Sequence, residues 1–145
     1  MDHARVDYTG EGLGEDQLEP TAYRQICRWV EEANARAAVS ADVPEPMAIS
    51  VATVDAEGCP NVRTVLMRFL DERGPGFVTC LTSAKGQELA ANPQIAAALT
   101  WPAMFRAIRF RGRVELIERA EVESYFDSRP YGSRISAWTS RQSEP

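Results

Sequence analysis

Two arginines stand inside one strand-like run, NVRTVLMRFLD (61–71). Alternation puts Arg63, Val65, Met67 and Phe69 on one face, and Val62, Thr64, Leu66 and Arg68 on the other. An arginine in a strand ordinarily sits at an edge or on a solvated face. The alternative is a permanently charged fork aimed at a phosphate or carboxylate. A second candidate is TSAKG (82–86), between a strand and a short helix. Its hydroxyls, its helix-start N–H groups and Lys85 can form an anion cradle. On this stretch alone the ordinary reading is the better one, with Ser83 as N-cap and Lys85 solvated. It is not a P-loop, because the Gly-rich spacing before the lysine is missing. A third cluster, YFDSRPYGSRISAWTSRQS (125–143), carries Tyr125, Arg129 and Ser133 at four-residue spacing. They share a face only if one helix runs through, and Pro130 and Gly132 argue that it breaks. The three can still line one pocket.

The elements that would position these groups are legible from periodicity. Residues 1–20 are polar, carry Gly10, Gly12 and Gly14, and read as a mobile arm, with a single domain over 21–145. Tyr23, Ile26, Cys27, Val30 and Ala33 make one helical stripe over 21–38, starting at Pro20 or Thr21. VSADVPEP (39–46) is a loop. Strands are expected at 47–55, 61–71, 76–82, 94–101 and 105–117, with turns at Glu57-Gly58 and at 72–76. Short helices are expected at 85–91, 121–128 and 133–139. Tight turns between consecutive strands exclude parallel crossovers, so the sheet is mostly antiparallel. The fold class is mainly β with flanking helices, closing into a small barrel.

The bulk numbers narrow the chemistry. The chain has 145 residues, room for one domain with a real core. A net charge of −5 argues against a nucleic-acid partner but permits a local basic pocket. Cys27, Cys59 and Cys80 are odd in number and far apart, and no signal-peptide pattern precedes them. Free thiols in a reducing cytoplasm follow. No apolar run is long enough for a bilayer. The single histidine is His3, in the arm. Histidine-based triads, histidine-ligated zinc and histidine general bases therefore lose their usual residue. No metal site is expected, and in an enzyme a bound cofactor would carry the hard chemistry.

Taken together, EPMAISVATVD (45–55), RTVLMRFLDERG (63–74), TSAKGQELAANP (82–93), Trp101-Pro102, RAIRFRGRVE (106–115), YFDSRPYGS (125–133) and AWTSRQS (137–143) stand in a telling order. In that order and spacing they resemble the pyridoxamine 5'-phosphate oxidase family. The resemblance implies an FMN-binding antiparallel split β-barrel, working as a homodimer with FMN in clefts between subunits. It implies that Arg63 and Lys85 bind the FMN phosphate. It places the flavin along the backbone of Arg63, Thr64, Val65, Leu66, Met67 and Arg68. Val78, Thr79, Ser83, Gln142 and Ser143 match further FMN contacts. Tyr125, Arg129 and Ser133 match positions that hold the phosphate of the B6 vitamer. Arg68 stands where the family usually has a substrate-binding lysine. No side chain is implied as catalytic in its own right: hydride passes from the substrate C4' carbon to flavin N5, and oxygen reoxidises the flavin to give peroxide. Pyridoxamine or pyridoxine 5'-phosphate becomes pyridoxal 5'-phosphate, a vitamin B6 salvage reaction in the cytoplasm.

The chain also departs from the family pattern. Ala107 replaces a glutamine that contacts FMN, and Ala84 replaces an arginine before the phosphate-binding lysine. The lost neutral hydrogen bonds are worth roughly 1 kcal/mol each, the charged one about 1.5–3 kcal/mol. FMN binding is then expected to weaken by roughly one to three decades. The flavin-edge pair is Val78-Thr79 rather than Tyr-Thr. Arg68 keeps the charge of the usual lysine but changes its geometry, so another substrate is an alternative. The family pattern normally continues well beyond Pro145, with further strands and cofactor contacts. A fragment of a longer chain and a naturally short paralogue both remain open. Without the closing segment, a flavin- or pyridoxal phosphate-binding module lacking turnover is the third reading.

Overall fold

The computed structural model describes residues 12–140. Gln142, Ser143 and His3 lie outside them. Helix α1 (Ala22–Ala37) begins where the sequence requires, with Thr21 Oγ1 accepting from the Arg24 N–H at 3.2 Å. Its stripe is turned inward: Val30 and Ala33 are buried, and Tyr23, Ile26 and Cys27 are half-buried. Just before it, Glu19 Oε1 accepts from Arg28 at 3.0 Å, tying the end of the arm to the helix.

Four strands form the main sheet: β1 (Ala48–Val54), β2 (Pro60–Leu66), β5 (Gln94–Trp101) and β6 (Arg106–Arg113). Their spatial order is β2-β1-β5-β6, and every pair is antiparallel. The β1–β2 hairpin closes through Asp55, whose Oδ1 accepts from the Glu57 and Cys59 N–H groups at 3.0 and 2.8 Å. Two short strands, β3 (Phe69–Asp71) and β4 (Gly74–Gly76), make a second antiparallel ribbon.

Register decides which side chains are inside. Ile49 pairs with Leu99 and with Val65, and Val51 with Ala97 and with Arg63. Ile49, Val51, Leu99 and Trp101 are 2% exposed or less and pack with Val30, Ala33, Val43 and Met67. Each such aliphatic side chain contributes about 1.5–3 kcal/mol by leaving water. The opposite face carries Ser50, Val62, Thr64, Ala96, Thr100, Arg109 and Arg111, all exposed.

Three expected strands are corrected. The run 61–71 is two strands, because its pairing partner changes within it. Met67 N donates to Met47 O at 2.9 Å, whereas Arg68 N donates to Gly76 O at 2.8 Å. The chain thus leaves the main sheet and enters the ribbon between two adjacent residues. The strand expected at 76–82 lies earlier, at Gly74–Gly76, inside the expected turn. Residues 77–80 join no ladder among the described residues and lead through a turn at 81–82 into α2 (Ala84–Ala91). The last expected strand ends at Arg113, after which Val114 N still reaches Pro93 O at 2.8 Å.

After β6 come α3 (Arg119–Ser128) and α4 (Tyr131–Thr139), separated by extended Arg129 and by Pro130 at the N-cap of α4. The break that Pro130 argues for is present. No helix among the described residues is long and apolar enough to cross a membrane.

Candidate anion-binding site

The site begins with a hydroxyl in the wrong place for a pure core. Thr53 follows Ile49 and Val51 on the buried face of β1 and is 1% exposed. A buried hydroxyl needs partners. It donates to Glu88 Oε2 of α2 and accepts from Arg63 Nη1 of β2. Arg63 Nη2 donates to the same Glu88 oxygen at 2.9 Å, and Asn61 Nδ2 donates to Glu88 Oε1 at 3.1 Å. Asn61 is the cross-strand partner of Thr53. Arg63, one step along on the same face, continues the row that the hydrophobic side chains began. These hydrogen bonds, that of Thr53 foremost and then that of Asn61, hold the Glu88 carboxyl below its ordinary pKa.

The second half of the site is the start of α2. Ser83 is fully buried and caps the helix, its Oγ accepting from Gly86 N at 3.3 Å and donating to Cys80 O at 2.6 Å. Gly86 lets the loop lie against the first turn: a Cβ there would sit 2.4 Å from Leu81 O and 2.8 Å from Cys80 O. This close wrap buries Lys85, which is 6% exposed. Its Nζ donates to Thr79 Oγ1 at 3.1 Å. No ion pair to Lys85 forms among the described residues, so its charge is not neutralised by direct contact. Burial pushes the Lys85 ammonium below its ordinary pKa, and the Arg63 charge lowers it further. Lys85, desolvated in the first turn of α2, and Arg63, paired to Glu88 further along the same helix, form a place for an anion.

The ordinary expectations for these residues are half right. Ser83 is the N-cap, but Lys85 is not solvated. Arg68 is exposed, as an arginine of a strand ordinarily is; Arg63 is not, for its side chain is 19% exposed on the core face. Of the expected cofactor contacts, Arg63, Thr79, Ser83 and Lys85 come together here. Val78 is exposed beside Thr79; Thr64, Val65 and Leu66 end β2, and Met67 and Arg68 link it to the ribbon. Ala84, the first residue of α2, and Ala107, in β6, are exposed and carry no polar side chain. Glu88, Thr53 and Asn61 were not singled out from the sequence. The available signal was Thr53, a polar residue in phase with Ile49 and Val51.

The expected substrate cluster lies on α3 and α4. The Arg129 guanidinium stands 6.0 Å from the Tyr125 ring centroid and 5.9 Å from that of Phe126. Tyr125 meets Phe69 edge to face at 5.4 Å, which places it beside β3, whose first residue follows Arg68. Arg73 Nη2 donates to Glu121 at 3.1 Å and fastens α3 to the β3–β4 turn. Ser133 is half-buried in the first turn of α4 and makes no side-chain hydrogen bond to Tyr125 or Arg129 among the described residues. An open groove of about 470 Å³ between α3 and α4 is lined by Val122, Glu123, Phe126, Asp127, Ala137 and Trp138. Its two carboxylates make it a poor phosphate site. No cluster of metal-ligating side chains occurs among the described residues.

Known proteins share this arrangement of segments. A family model described as pyridoxamine 5'-phosphate oxidase matches residues 35–145. The chain is 45% identical over 140 residues to a pyridoxine/pyridoxamine 5'-phosphate oxidase of Trichormus variabilis, covering 97% of this chain and 63% of that protein. It is 43% identical over 141 residues to one of Bordetella petrii, covering 97% and 65%. It therefore spans less than two thirds of the length of these curated relatives. Among solved structures it is similar to PhzG from Burkholderia lata 383, in complex with tetrahydrophenazine-1-carboxylic acid. There the TM-score is 0.81 at 26% identity, over 93% of this chain and 65% of that one. A pyridoxamine 5'-phosphate oxidase-related, FMN binding protein from Nostoc punctiforme has the same fold, with a TM-score of 0.65 at 16% identity over 88% and 68%.

Proposed function

The chain belongs to the pyridoxamine 5'-phosphate oxidase family, and from that premise we propose that it binds FMN and oxidises pyridoxamine or pyridoxine 5'-phosphate with oxygen as acceptor. The observation that carries this reading is Lys85, a buried ammonium beside Arg63 with no carboxylate paired to it among the described residues. That donor set fits a phosphate. Lys85 and Arg63 would hold the FMN phosphate, with Thr79, Ser83 and the start of α2 around it. When bound, the flavin supplies the two-electron redox chemistry that no side chain here can supply.

The chain's own residues orient and select. The segment 63–68, the end of β2 and its link to β3, runs from the cradle to the ribbon against which Tyr125 packs. That segment would hold the flavin between the cradle and the ribbon end. Arg129, over the Tyr125 and Phe126 rings, offers a guanidinium to a substrate phosphate at that end. The rate gain expected of such a site is positional, from holding the substrate carbon against the flavin.

Arg68 favours a second reading, a flavin oxidoreductase on this scaffold with a different substrate. A guanidinium replaces the ammonium expected there, and the likeness to PhzG, solved with a phenazine carboxylic acid, supports it. One experiment separates the two. Purified protein is loaded with FMN, and pyridoxamine 5'-phosphate is added in air. Pyridoxal 5'-phosphate and hydrogen peroxide formed in equal amounts are expected. Bound flavin that turns over no B6 vitamer would reject the first reading and leave the second.

A further inference from the structure

Resting on the reading of the cradle as the FMN phosphate site, we propose that Glu88 is a positioning residue for that site, holding Arg63 in place for the anion and allowing Arg63 and Lys85 to stand charged side by side. The geometry carries this. Glu88 comes from α2, Arg63 and Asn61 from β2, and Thr53 from β1. Both carboxylate oxygens are used, one by Asn61 and one by Arg63 and Thr53 together. Thr53 closes the triangle by accepting from Arg63 Nη1. The guanidinium is thus fixed at two nitrogens before any ligand arrives. Among the described residues two of its five N–H groups are committed, one on each terminal nitrogen, which leaves donors for an incoming anion. The pair is well shielded, with the Arg63 and Glu88 side chains 19% and 11% exposed.

A long arginine side chain that must be ordered on binding weakens the complex, whereas one already held does not. The same carboxylate also offsets the mutual repulsion of the two cations. The charged groups acting on Lys85 are Arg63 from β2, Cys80 from the preceding loop and Glu88 from its own helix. Arg63 makes the ammonium harder to keep; Cys80 and Glu88 make it easier. Removing the Glu88 charge therefore has a signature that loss of packing alone lacks: Lys85 gives up its proton at lower pH.

The test compares wild type, Glu88→Ala and Glu88→Gln by FMN fluorescence titration across pH, with inorganic phosphate as a second probe. Glu88→Ala is expected to lose about tenfold or more in FMN affinity near neutral pH. Glu88→Gln keeps the shape and one acceptor, its carbonyl facing Arg63 and Thr53 while the Asn61 amide turns to accept from its N–H groups, so it stays within about threefold of wild type there. Its alkaline loss of affinity begins at lower pH than in wild type. Glu88→Ala binding FMN as tightly as wild type overturns the proposal, as does tighter binding by both variants. If Glu88→Ala does not fold by circular dichroism, Glu88→Gln decides, and an alkaline limb unchanged from wild type overturns it. A wild-type chain that binds phosphate but not FMN rejects the flavin reading alone, and the three proteins are then ranked with phosphate. A wild-type chain that binds neither overturns both.

Discussion

Lys85 is the residue on which the functional reading rests. A buried ammonium with a single hydroxyl partner costs stability, and the cost is recovered when an anion arrives. Lys85→Met keeps the length and removes the charge. FMN affinity should fall roughly 10- to 100-fold, the worth of one charge-assisted hydrogen bond. The melting temperature of the free protein should hold or rise. The sign follows from linkage: the folded-state pKa lies below the ordinary 10.5, so the folded chain releases this proton first. The stability of wild type should therefore climb as pH rises toward 10.5, and that climb should flatten in Lys85→Met. Titration and thermal melts across pH check both statements. Arg63 and Lys85 stand out by type, but on the residues alone the solvated reading is the better one, and only the family resemblance favours an anion. The burial of Lys85 was not legible, since AKG at a helix start looks the same whether or not a loop covers it. Glu88 was not legible either, because its three partners are 25 to 35 residues away in the chain.

At the scale of elements, the start of α2 is the part whose shape matters most. The loop 80–83 lies against Gly86, and a methyl group there would collide with backbone rather than with a movable side chain. Gly86→Ala should destabilise the fold by about 1–3 kcal/mol through overpacking, against a helix-propensity gain of about 1 kcal/mol. FMN affinity should fall with it, because the loop positions Thr79 and Ser83. Gly132→Ala in α4 is the matched control, with no atom within 4 Å of the new methyl group. It should leave the melting temperature unchanged or raise it. Helix α1, the β1–β2 hairpin and the antiparallel order were readable from periodicity and turn residues. The split of 61–71 was not. Its alternation continues unbroken through Met67 and Arg68, and the change lies in the partners, Met47 and Gly76. The run 76–82 misled for the opposite reason: GFVTCLT has strand composition, but the pairing is taken by Gly74–Gly76.

For the whole molecule, net charge was the least informative number. A chain of −5 still brings two cations, Lys85 and Arg63, against one helix, because packing rather than composition sets the local field. The main sheet does this with a single face. Its apolar row runs from Leu99 and Trp101 through Ile49 and Val51, and Thr53, Asn61 and Arg63 continue it as a polar edge. Fold and cradle are thus built from the same strands, and the family's order of segments reflects that.

The claim at the centre of this account is that Lys85 and Arg63 grip a flavin by its phosphate. The direct measurement is a paired titration of the purified protein with FMN and with riboflavin, which differ by that phosphate, followed by flavin absorbance and fluorescence. Saturable binding of FMN, with riboflavin at least about tenfold weaker, is the predicted result. Equal binding of the two flavins, or binding of neither, would contradict it.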